Sequence, residues 1–191
     1  WNPARTVPAS NDILQFNDGT SKNINDVVTQ TIGQLSVVNT TSVTLQSPGP
    51  SVLTIAGGTG DDLTISEGSH LNISGSDALT VLLTTGATGP VSGGMTFSGS
   101  AHKLLATDAN SLVFMPAGIF TAGTGLTGNP FGTSSLNSVV FQPGSTYVSQ
   151  AGSNPFGAST PNSVVVFQPG SLYVHEQSGS LSFSGRTYGD F

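Results

Sequence analysis

The chain has 191 residues, of which 7% are charged, with 4 Lys+Arg against 10 Asp+Glu and a net charge of -6. No basic stripe exists to neutralise phosphates, which excludes a nucleic-acid partner. The complete lack of cysteine excludes disulfides, thiol catalysis and zinc–thiolate sites. Hydrophobic residues make up 36% of the chain and fall in strand-sized clusters, so a disordered chain is excluded as well.

Residues 1–10, WNPARTVPAS, are Pro-rich and read as a lead-in, with 1–16 forming a cap. No leader peptide is visible ahead of Trp1, so any leader is expected to have been removed. Residues 11–16 give a first strand, and Asn17-Asp18-Gly19 a turn. Residues 25–38 are ambiguous. Ile24, Val27, Val28, Ile32 and Leu35 have partly helical spacing, whereas Thr29, Thr31, Val37 and Val38 are β-branched and favour strands. The reading is strand. Short strands follow at 43–45, 52–55, 63–65, 71–73, 79–83, 95–97, 103–105 and 112–114, with Gly or Pro in nearly every gap. No apolar run approaches the roughly 18 residues of a membrane-spanning helix.

Two copies of one pattern then occupy 129–174. The first is NPFGTSSLNSVVFQPGSTYV and the second NPFGASTPNSVVVFQPGSLYV. Asn-Pro-Phe-Gly recurs after 25 residues and Val-Phe-Gln-Pro-Gly-Ser after 26. Each copy holds a β-branched and aromatic run, a Pro-Gly break and a second short run, 146–148 or 172–174. Leucine-rich and helical repeats are ruled out because their signatures are absent, and a propeller blade needs about 40 residues. One repeat is therefore one coil of an all-β solenoid. Fainter copies lie at 113–120 and 64–71, and residues 181–183 begin a further coil. The chain thus reads as a single solenoid domain over 1–191 with roughly seven coils of about 25 residues. Phe114, Phe141, Phe167, Tyr147 and Tyr173 are expected inside, stacked coil on coil.

The segments WNPARTVPASNDILQF, GDDLTI, GSHLNISG, NPFG…NSVVVFQPGSLY and SFSGRTY resemble the β-helical region of large secreted surface proteins of Bacteroidota. NPFG/VFQPGS is the most specific part of that resemblance. It implies a right-handed parallel β-helix at the cell surface and export by the type IX system, although no C-terminal sorting domain is present in this sequence. It carries over no catalytic residue. Residues 182–191 are still in strand-and-turn rhythm, so the last coil is expected to be uncapped. Further chain, or a neighbour in an end-to-end filament, would then cover it.

Few residues bear chemistry. Gly57-Gly58-Thr59-Gly60-Asp61-Asp62-Leu63 nearly matches the calcium-binding nonapeptide and makes Asp61 and Asp62 metal candidates. Leu63 comes one place early and no second copy exists, so the reading is a Gly-rich corner with no metal and no cofactor. Asp61, Asp62, Glu67 and His70 are the acids and bases a polysaccharide lyase or hydrolase would need on one face. The only cations, Arg5, Lys22, Lys103 and Arg186, are scattered, so no catalytic residue is assigned. His102, His175 and Glu176 have no metal-ligand spacing and read as surface residues. No G-x-S-x-G elbow occurs. Asn39-Thr40-Thr41 and Asn72-Ile73-Ser74 match the N-glycosylation acceptor. The threonines of 40–44 and 80–85 lack the coil period an ice-binding face would need. Phe131 and Phe156 stand at equivalent NPFG positions. Outside, they would offer a shallow carbohydrate site; inside, they would staple the corner, which is the reading taken because Phe is more often buried. The chain is thus expected to be a non-enzymatic extracellular stalk, adhesin or matrix element, with a filament subunit or a carbohydrate module as alternatives. Surface polysaccharide and other copies of the chain are the expected partners.

Overall fold

The computed structural model describes residues 9–179, 181 and 184–190, which form eighteen strands and no helix. Every strand pairing is parallel, and the strands build three sheets that run along one axis. The first holds β1 (Ile13–Phe16), β4 (Gln34–Val37), β7 (Leu63–Ile65), β10 (Gly89–Val91), β13 (Leu112–Phe114), β15 (Val139–Phe141) and β17 (Val165–Phe167). The second holds β2 (Ser21–Ile24), β5 (Ser42–Leu45), β8 (His70–Ile73), β11 (Gly94–Phe97), β14 (Ile119–Ala122), β16 (Thr146–Ser149) and β18 (Leu172–His175). The third holds only β3 (Gln30–Ile32), β6 (Ser51–Ile55), β9 (Leu79–Leu83) and β12 (Lys103–Ala106). The result is a parallel β-solenoid, with two faces seven strands deep and about 6 full turns.

Period-2 alternation of branched residues produces this. In β9 the burial pattern is buried, half-buried, buried, half-buried, buried, as expected for a strand with one face in the core. Parallel register then places each inward residue over its equivalent in the next coil. One inward row runs Val37, Ile65, Val91, Phe114, Phe141, Phe167. Another runs Val43, Leu71, Met95, Phe120, Tyr147, Tyr173. Phe141 and Phe167 stack at 5.0 Å, and Tyr147 and Tyr173 at 5.1 Å, as the repeat predicts.

The corner between the first and second faces is a Pro-Gly turn. Ser145 N donates to Gln142 O at 3.0 Å across Pro143 and Gly144, and Gly144 has φ +83. Proline at the second position and positive φ at the third are the requirements of a type II turn. Ser145 Oγ donates back to the same carbonyl at 2.6 Å, and Ser171 repeats this toward Gln168 at 2.7 Å.

The ambiguous segment 25–38 is β-structure, since it contains β3 and β4. Two strands are not legible in the sequence: β2 is polar and exposed at the bottom of the stack, and β10 is Gly-Pro-Val, which reads as a turn. The lead-in at 1–8 lies outside the described residues, as do Ser182 and Phe183 of the expected further coil and Phe191. Residues 188–190 lie over the coil of β17 and β18, where a further coil was expected to begin. Tyr173 N donates to Asp190 O at 3.0 Å, and Asp190 bridges Leu172 in parallel. Tyr188 stacks on Phe167 at 6.2 Å and meets Tyr173 edge-on at 5.1 Å. Aromatic burial holds this segment on the stack.

Candidate functional site

Shallow grooves cut the outward surface of the described residues, and three of them are bordered by polar side chains. The first lies where the second face meets the Pro-Gly corner, about 420 Å³ in volume and bordered by Glu67, His70, Gly94, Thr96 and Ile119. It exists because Gly94 stands on the rung between His70 and Ile119 and contributes no side chain. The His70 ring leans into that gap, where a Cβ on Gly94 would collide with it. The second, about 390 Å³, lies beside the last coil around Leu136, Pro161, Asn162 and Arg186. Arg186 is already engaged there: it donates to Asn162 O at 2.6 Å and Ala158 O at 2.5 Å, and lies 4.9 Å from the Phe156 ring centroid. The third, about 170 Å³, is bordered by Asn154, Tyr173, His175 and Gln177.

The four acid–base candidates do not converge. Asp61 and Asp62 precede β7, and Glu67 and His70 follow it, so a strand of about 10 Å separates the pairs. Glu67, His70 and Asp61 are exposed, whereas Asp62 is 1% exposed. Asp62 Oδ2 accepts from Thr88 N at 2.9 Å, and its Oδ1 is buried with no partner. Among the described residues no three His, Asp or Glu side chains cluster as metal ligands would. The cations stay dispersed: Lys22 pairs with Asp18 at 2.6 Å in the first coil, which holds the Asp18 carboxyl down at about 2, and Lys103 lies on β12.

His102 is a correction. It is 0% exposed rather than a surface residue. Lys103 pairs with Thr80, so His102 falls one step earlier, on the inward row of Leu79, and its Nδ1 accepts from Leu79 N at 3.0 Å. Burial pushes its pKa below the ordinary histidine value. His175 and Glu176 are partly or fully exposed, with His175 Nε2 2.6 Å from Gly179 O and Glu176 accepting from Gln150 Nε2 at 2.9 Å.

Phe131 and Phe156 are both inside, each 2% exposed. Their loops stack, with Asn129 Nδ2 donating to Asn154 O. The rings reach different rungs: Phe131 lies 4.7 Å from Phe120, and Phe156 5.8 Å from Phe167. Threonine recurrence was also missed in the sequence. Thr44, Thr96 and Thr121 share one outward row, interrupted by Asn72 and ended by Val148 and Val174.

Fold and surface together define a repeat protein of the parallel β-solenoid class. No protein-family model matches the chain, and comparison with curated proteins and with solved structures gives no match either.

Proposed function

We propose that the chain is a non-enzymatic structural element, a rigid β-helical stalk, adhesin or matrix component of a bacterial cell surface. The observation that supports this best is a contrast. The core runs without a break from Leu35 to Tyr173, whereas the acids, histidines and cations are spread along and around it. Rigidity and length are what such an arrangement provides. The resemblance to β-helical surface proteins of Bacteroidota agrees with this reading and adds export by the type IX route. Two experiments test it. Antibody against the chain should label intact cells of the source bacterium, and labelling only after lysis would refute the location. The purified chain should release no sugar from a panel of acidic and neutral polysaccharides. Sugar release that disappears in an Asp61, Asp62 or Glu67 variant would establish an enzyme instead.

A carbohydrate-binding role is the second reading. The groove at Gly94 favours it, because Glu67, His70 and Thr96 offer polar groups beside the apolar edge of Ile119.

A further inference from the structure

The corner between β6 and β7 contains a carboxylate for which the fold gives no full account. Asp62 is 1% exposed, one oxygen is held by Thr88 N, and the other is buried with no partner. No cationic side chain among the described residues pairs with it, the described salt bridge being Lys22 to Asp18. A buried carboxylate with a free oxygen and no counter-charge is a costly arrangement unless something else meets it.

The surroundings indicate what could do so. A Cβ placed on Gly58 would lie 3.9 Å from Asp62 Oδ1 and meet nothing else, and one on Gly60 would meet nothing within 4 Å. No side chain therefore crowds the buried Oδ1 on the Gly58 side of the loop. The groups the 57–62 loop presents are oxygens: backbone carbonyls, the Thr59 hydroxyl and the exposed Asp61 carboxylate. Thr59 O and Gly60 O already turn toward side chains, accepting from Gln34 Nε2 at 3.3 Å and Thr88 Oγ1 at 3.5 Å. No nitrogen or sulfur ligand lies in the loop, which disfavours zinc and copper. A glycine-rich loop with carbonyl and carboxylate oxygens suits calcium, which accepts irregular oxygen shells, better than magnesium, which demands a small octahedron.

We propose that the 57–62 corner binds a calcium ion, with Asp62 Oδ1 as its buried anchor and loop oxygens and water completing the shell. This revises the expectation of a metal-free corner, which rested on Leu63 standing one place early in the nonapeptide and on the missing second copy. It is independent of whether the solenoid is a stalk or an enzyme. The competing explanation is a buried water on Oδ1.

The test is thermal unfolding of the full chain, first stripped with a chelator, with and without millimolar calcium chloride or magnesium chloride. Calcium should raise the melting temperature by a few degrees, as expected for a ligand well above its Kd, and magnesium by much less. Asp62→Asn keeps an acceptor for Thr88 N but removes the charge. It should therefore melt above the wild type in chelator and below it in calcium. Asp26→Asn, an exposed carboxylate elsewhere, should leave the calcium shift unchanged. No calcium shift in the wild type, or a shift that persists in Asp62→Asn, overturns the proposal. If Asp62→Asn fails to fold, calorimetric titration of the wild type with calcium chloride decides: about one ion per chain supports the site, and no saturable binding overturns it.

Discussion

His102 and Tyr147 are polar residues that the core accommodates in different ways. Because Leu79 N–H occupies His102 Nδ1, the neutral ring must carry its proton on Nε2, and charging it would break that bond. Its folded pKa is lowered by burial, so below about pH 6.5 the unfolded chain binds more protons than the native one. Stability is then fully present above that pH and is lost as pH falls toward the folded pKa. The unfolding free energy should drop between about pH 7 and pH 5, by at most about 1.4 kcal/mol per pH unit from this group, with a falling melting temperature whose slope flattens in His102→Gln. Equal slopes in both proteins would show that His102 is not the cause. Tyr147 differs: it is fully buried, its hydroxyl has no partner, and burial pushes its pKa well above the usual phenol range. The rung before it is Phe120. Tyr147→Phe should therefore raise stability by about 1 kcal/mol in denaturant titration, since it removes an unsatisfied group and keeps the ring. That Tyr147 is a core residue was legible in the sequence because its coil is repeated. His102 was not, because its coil has no close copy, and a lone histidine beside a lysine looks like surface until the register with Leu79 is known.

At the scale of the element, the repeated words are corners. In NPFG, Asn129 Oδ1 accepts from Phe131 N at 3.1 Å and Asn154 Oδ1 from Phe156 N at 3.2 Å, so each Asn closes its own turn. Gly157 then has φ +70, and a side chain there would run into the carbonyl oxygen of Gly132 one coil below. Gly157→Ala combines left-handed strain with a backbone collision, and should cost at least about 2 kcal/mol. The Pro-Gly corner offers the reverse case. Gly144 and Gly170 have φ +83 and +88, but the same place in the preceding coil is Ala117 at φ +68. Ala117→Gly should stabilise the chain by about 0.5–1 kcal/mol, read as a raised denaturant midpoint with unchanged m. A lowered midpoint would show that the alanine methyl packs usefully. Strands and corners were legible because Pro-Gly and NPFG have definite dihedral demands. Gly89-Pro90-Val91 was not, because those demands there yield to pairing with β13.

Across the whole molecule the cross-section changes along the axis. Through β12 the coil closes with three strands around aliphatic rungs such as Leu35, Leu63 and Leu83. Beyond it the third sheet stops and the NPFG segments take its side, with Pro130 O receiving a hydrogen bond from Leu104 N at 2.8 Å. A loop packs less regularly than a strand, and larger side chains fill the difference. The inward rows turn from Val, Ile and Leu to Phe and Tyr over these coils, and Phe131 and Phe156 close the third side. Phe141 is central, 4.4 Å from Phe114, 5.0 Å from Phe167 and 5.8 Å from Tyr147. Phe141→Ala should cost about 3–5 kcal/mol in chemical denaturation. A loss below about 1 kcal/mol would mean that the neighbouring rings close the cavity. The change of cross-section was not legible in sequence, since the loss of a sheet leaves no residue signature beyond a longer gap.

The close approach of Tyr147, Tyr173 and Tyr188, the first two stacked and the last two edge-on, has a spectroscopic consequence. These are the 3 tyrosines of the chain, and successive ring centres lie 5.1 Å apart. Phenols this close couple their electronic transitions, so the tyrosine bands of the near-ultraviolet dichroism report on the last coils alone. The amide bands report on every coil. In a stack held by nearest-neighbour contacts, a melt that nucleates at one end separates the two signals in temperature, whereas concerted unfolding superimposes them.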